Sequence, residues 1–299
     1  MLNRGVVIMN RIGVITDSHG GISMEEAMRL GIKVLPMPFY FGDECYYEGV
    51  SITRKEFFER FNAGESVSTS QPSPEEVMNI WREGLREYSQ ILYMTLSSGL
   101  SGACNTAMML AEEEEFLGKV FVVDNGRIST PMHRSVLDAL ELIDEGYEAQ
   151  DIKRILETSK DKMSIYIAVE TLEYLKKGGR ITPAAAAVGT LLNIKPILAL
   201  NVGVLDNYEK CRGMKKAKRE MLEAMKRDME TVFLEYYEKG ELYLMAASSA
   251  DEETTKEWVE EIKNYFPGME VLCDPLSLGI SCHTGEGALG IGCSCKPTR

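Results

Sequence analysis

Four short polar stretches carry the residue types suited to gripping a small anion. They are Ser68–Pro72 (STSQP), Ser97–Gly102 (SSGLSG), Gly178–Ile181 (GGRI) and His283–Gly285 (HTG). Hydroxyls in the first two stretches, among them Thr69, Ser70, Ser97, Ser98 and Ser101, offer neutral donors. The paired glycines before Arg180 let the backbone turn sharply and approach a neighbour closely. A guanidinium offers paired donors that stay charged, which suits a carboxylate. Asp17 and Ser18, after a first apolar run, add a further polar pair. This inventory holds an anion better than it transforms one.

One catalytic reading competes with that one, and one motif match is a decoy. Ser101 lies in GLSGA (residues 99–103), one residue away from the G-x-S-x-G elbow that exposes a nucleophilic serine between a strand and a helix. A serine hydrolase using Ser101, His283 and either Asp17 or Asp124 is therefore the alternative; the crowd of neighbouring hydroxyls favours a cradle of donors over one activated nucleophile. Gly285–Gly290 (GEGALG) matches G-x-G-x-x-G letter for letter. A dinucleotide fingerprint must follow a strand and open a helix, with an acid about 20 residues later. This one runs into a strand-like segment near the end of the chain, and a tight turn holding His283 is the expectation instead.

A net charge of −13 argues against nucleic acid, whose phosphates need clustered Lys and Arg. The one basic run, Lys210–Arg219, reads as a solvated helix start or a docking patch for an acidic partner. Seven cysteines, with no export signal at the start of the sequence, lead to the expectation of reduced thiols and a cytoplasmic protein. Cys273, Cys282, Cys293 and Cys295 lack the paired spacing of zinc knuckles, so neither a metal nor a cofactor is expected. Met9 directly precedes the first strand pattern and is a candidate start.

The elements around these motifs follow an α/β rhythm. Apolar strands at Ile12–Thr16, Lys33–Met37, Ile91–Leu96 and Lys119–Asp124 alternate with helical patterns, including one opened by Pro74 at a position where proline is tolerated. Such repeats imply a mainly parallel sheet with flanking helices. Ligands gather at the C-terminal ends of parallel strands, where Asp17, Ser18, Ser97 and Ser98 fall. The polar segment Ala63–Ser73 reads as a loop, and Ala103–Phe116 as a helix. From Met163 onward hairpins replace crossovers, with a long helix expected over Lys215–Glu238. With 299 residues, the chain divides into an N-terminal α/β domain, 9–162, and a second α/β domain of α+β character, 163–299.

Six ordered motifs together resemble the DegV family: Thr16–Ser18, Ser68–Pro72, Ser97–Gly102, Leu172–Ile181, Leu192–Ile197 and His283–Gly285. The resemblance runs from about Ile12 to Ile291. Ala103-Cys104, Asn125 and Glu286 depart from the family's usual residues. These are bacterial fatty-acid-binding proteins that serve as acyl-carrying subunits of fatty acid kinase. The resemblance implies a long-chain fatty acid enclosed between two domains, its carboxylate on Thr69 and Ser101, with Arg180 and His283 in a supporting polar network. It further implies a kinase subunit that phosphorylates the held carboxylate to an acyl phosphate. This chain would then present substrate without turnover of its own and touch membranes only transiently for exchange. Residues Ala184–Val188 and Leu191-Leu192 are candidate tail contacts.

Overall fold

A computed structural model describes residues 12–186, 194–201 and 204–298. The first half supplies strands β1 (Ile12–Asp17), β2 (Lys33–Leu35), β3 (Pro38–Phe41), β4 (Glu44–Tyr47), β5 (Val67–Thr69), β6 (Gln90–Met94) and β7 (Val120–Val123). The second half supplies β8 (Met163–Ala168), β9 (Ile194–Asn201), β10 (Val204–Arg212), β11 (Leu242–Ser248), β12 (Val271–Pro275) and β13 (Leu289–Cys295).

The expected α/β architecture is present. Strands β2-β1-β6-β7 form a parallel sheet in that order. Continuous apolar runs suit strands covered on both faces. On one side Val14, Val34, Leu92 and Met94 pack with Val136 of helix Thr130–Asp144 and Ile152 of helix Ala149–Thr158. On the other, Ile15, Ile91 and Tyr93 meet Trp81 of helix Pro74–Gly84 and Ala107 of helix Ala103–Ala111. Two helix starts are fixed by capping boxes, Thr53 with Glu56 and Ser73 with Glu76, which satisfy otherwise orphaned backbone donors.

The second half builds a six-stranded sheet, β10-β9-β8-β13-β11-β12, antiparallel except for the β11–β12 pair. Alternation sorts its two faces. Tyr166, Ala168, Leu244, Ala246, Leu289, Ile291 and Cys293 join the core with helices Met214–Glu230 and Glu252–Tyr265. Ile165, Ile167, Met245, Ala247, Gly290 and Gly292 belong to the opposite set, toward the first half.

Several expectations need correction. Segment Ala63–Ser73 is not all loop: β5 pairs with β3, and with β4 they form a small antiparallel sheet. The helix after Gly102 stops at Ala111 and not at Phe116. The long helix is broken at Thr231-Val232, where two β-branched residues adjoin. The break turns Phe233 into the core before Leu234–Lys239 resumes. Candidate tail contacts at 187, 188, 191 and 192 lie outside the described residues, as do the side chain of Ala186, residues 202–203 and Met9. Ala184 is exposed, and Ala185 is buried away from the cavity described next.

Candidate binding site

One cavity, with about 1020 Å³ of empty space including its mouth, is lined by both halves of the chain. Its walls are mainly apolar: Leu96, Leu100 and Ile128 from the first half, Ile165, Ile167 and Met245 from the second. Gly290 and Gly292 lie on the same face of β13 and leave backbone where side chains would otherwise fill the space. Thr69, Ser70, Ser101, Arg180 and His283 all line this cavity. The five come from four separate segments.

Each is positioned by a local feature. Thr69 ends β5, its partner residue being Phe39, and Ser70 follows directly. Ser101 sits between β6 and the next helix, where its Oγ accepts from the Ala103 N–H at 3.2 Å. Arg180 follows helix Glu173–Gly178, which closes on left-handed Gly179. His283 lies in the last turn of helix Leu278–Thr284, not in a turn as expected; the turn falls at Gly285 and Gly287, both with positive φ. The tract GEGALG therefore connects a helix to β13 and opens no helix.

Contacts knit the cluster together. Thr69 Oγ1 and His283 Nε2 are 2.9 Å apart. Arg180 donates to the Leu100 carbonyl at 3.3 Å and to the Gly178 carbonyl. Gly178 itself abuts His283: a β-carbon there would lie 2.0 Å from His283 Nδ1. That Nδ1 is buried without a hydrogen-bond partner. Burial, then the charges of Arg180 and His19, push the His283 imidazole down to about 4, so it is neutral at pH 7.

Ser97, Ser98, Asp17 and Ser18 stand behind the wall and do not line it. Asp17 is fully buried and accepts from His19 N, Thr95 Oγ1 and Leu96 N at 2.7–2.9 Å. Burial alone would raise its carboxyl, but His19 and the other donors prevail and hold it below the usual carboxylate range. Ser18 Oγ accepts from Met37 N, Ser97 Oγ from Gly99 N, and Ser98 donates to Asp124 at 2.6 Å. These bonds shape the strand-end loops that carry lining residues.

This geometry gives the hydrolase reading no support: among the described residues no hydrogen bond joins Ser101 to His283. Ser101 Oγ is engaged with backbone and His283 Nε2 with Thr69. Asp17 and Asp124 are taken up by other partners. Nor do the four clustered-sequence cysteines assemble with His283 into a metal-binding group among the described residues. His19 is one of the polar lining residues that motif reading missed, with Ser129 and Thr130. It follows Asp17-Ser18 directly at the end of β1, and that position was its signal.

The family model described as "Uncharacterised protein, DegV family" matches residues 11–296. The chain belongs to the DegV family. Protein DegV of Bacillus subtilis is 31% identical over 287 residues, covering 95% of this chain and 99% of its own. A Thermus thermophilus structure described as fatty acid binding of a DegV family protein superposes with TM-score 0.84 at 33% identity, over 95% and 99% of the two chains. The Bacillus subtilis DegV structure, described as a fatty acid binding protein, gives 0.82 at 30%, over 96% and 100%. Among the described residues of this DegV chain, no helix is long and apolar enough to cross a membrane.

Proposed function

We propose that this DegV protein binds one long-chain fatty acid, tail in the apolar cavity and carboxylate at the Thr69–His283 cluster. The observation that carries the reading is that cluster opening onto an apolar cavity between the two halves. Burying about 15 methylenes at roughly 0.8 kcal/mol each supplies about 12 kcal/mol of gross driving force. A carboxylate taken from water costs several kcal/mol unless it is paired and hydrogen-bonded. Thr69, Ser70 and Ser101 would donate to its oxygens, Arg180 would supply the permanent positive charge, and neutral His283 would orient Thr69. The division into domains 9–162 and 163–299 accompanies this reading, since each of the larger sheets draws its strands from one side of residue 163.

The carboxylate end is where a partner acts in this proposal. A fatty acid kinase subunit would transfer the γ-phosphoryl of ATP to the held carboxylate, giving acyl phosphate and ADP. This chain would perform no turnover itself. Denaturing extraction and mass spectrometry should release about one long-chain acid per chain. Ligand-free protein that also takes up no C14–C20 acid overturns the reading. The Thr69→Ala/Ser101→Ala double variant should bind the acid more weakly, each lost donor costing about 1–3 kcal/mol. Its kinase-supported phosphorylation, trapped as a hydroxamate, should fall in parallel; full activity would contradict the assigned roles.

A further inference from the structure

Away from the cavity, three ligating side chains from distant segments converge. Glu26 lies in helix Met24–Leu30, His133 in helix Thr130–Asp144, and Asp274 near the end of β12. One ligand atom from each lies within 4.8 Å of the other two. His133 Nδ1 is 3.0 Å from Asp274 Oδ2, while its Nε2 points toward Glu26 Oε1 at 3.8 Å. The His133 side chain is 1% exposed, yet Nε2 has no hydrogen-bond partner. An unsatisfied ring nitrogen this deep needs an explanation.

We propose that Glu26 and His133 hold a divalent cation of the zinc class, with Asp274 as the carboxylate that orients the histidine. When a ligating histidine donates one ring N–H to a carboxylate, the other nitrogen is left as a lone pair aimed at the metal. Asp274 makes that bond to Nδ1. Zinc bonds of about 2.0–2.2 Å to nitrogen and oxygen sum to slightly more than the Nε2–Oε1 separation, so a bent N–metal–O unit fits between them. A 3.8 Å gap is too long for a hydrogen bond and suited to a bridging ion. Two carboxylates offset the charge of a dication, and water fills the remaining positions.

Access and competition are both visible. Glu26 is partly exposed; besides facing His133, its carboxylate makes a 3.4 Å contact with the exposed Arg29 Nη2, which swings off readily. Asp274 also lines an open groove beside the ends of β11 and β12, giving a path for entry. A bound cation would tie two helices of the first half to the sheet of the second. This site is independent of the fatty-acid reading.

The test uses the full chain, stripped with chelator and offered zinc or cobalt. Zinc should be retained at about one per chain after dialysis and should raise the Tm. Cobalt should give visible d–d bands without thiolate charge transfer, which separates this site from the cysteines. Glu26→Gln, at a partly exposed position, should weaken zinc binding at least tenfold, and His133→Gln should abolish it. Absence of retained zinc overturns the proposal, as does zinc binding that Glu26→Gln leaves unchanged or cobalt spectra dominated by thiolate. In any of those cases His133 serves only as an ion-paired clamp between the halves.

Discussion

Neutral His283 beside permanently charged Arg180 is the residue-scale feature with the clearest pH consequence. Its folded-state value near 4 lies below the unfolded value of about 6.5. Between those values the unfolded chain binds the extra proton, so this histidine's contribution is complete above pH 6.5 and is lost as pH falls toward 4. Asp138 runs the other way. Burial raises it to about 6 despite Arg134 and Arg127, so its linked stability is lost as pH rises from about 3.8 through 6. Comparing ligand-free wild type with His283→Gln isolates the histidine. Urea unfolding at pH 7.5 and 5 should show a smaller acid loss in the variant; equal losses would mean the imidazole titrates normally. The five cavity-lining residues were legible because hydroxyls cluster around Thr69 and Ser70, while Ser101, Arg180 and His283 stand close to glycines. The supporting role of Ser97, Ser98, Asp17 and Ser18 was not, since a motif does not show which way a hydroxyl turns.

Elements decide where those residues point, and Gly178 is the tightest constraint. Replacing a helical glycine with alanine ordinarily stabilises a helix by roughly 0.5–1 kcal/mol. Here the added carbon would collide with the His283 ring, so either that ring or one of the two helices must shift. Gly178→Ala should keep its circular dichroism yet bind long-chain acid at least tenfold more weakly, measured by displacement of a fluorescent acid. Unchanged affinity would mean that the Thr69–His283 pair tolerates displacement. Parallel strands could be read from apolar runs, and one helix start from Pro74. The β3–β4–β5 sheet could not. Its strands are three or four residues long, and Val67–Thr69 carries two hydroxyls in three residues, so partner strands rather than periodicity define it. Helix Ala149–Thr158 was overlooked although Ile152, Ile155 and Leu156 mark its buried face.

Across the whole molecule, the two halves meet around the cavity through a modest set of direct links. Thr130 Oγ1 donates to the Ala246 carbonyl at 2.9 Å, Arg54 to the Leu276 carbonyl at 2.8 Å, and the Leu278 N–H to Glu48 at 2.7 Å. Phe61 and Tyr174 add a ring contact, with centroids 4.6 Å apart. Ser129, on the cavity wall, holds a positive φ of 57°, and its N–H donates to the His19 carbonyl. Such strain persists only where the surroundings over-determine it. An acyl chain in this space would complete an apolar core shared by both halves and absent from the unfolded chain. A ligand held only by the native state stabilises it by about 2.7 kcal/mol when free acid is at a hundredfold excess over Kd. Delipidated protein resupplied with long-chain acid should therefore gain roughly 5–10 °C in Tm, at about 2–4 °C per kcal/mol. Gain of similar size with a C18 alcohol would show that the tail alone accounts for binding. A gain confined to the acid, and reduced in Ser101→Ala, would tie the stability of the whole molecule to its carboxylate cluster.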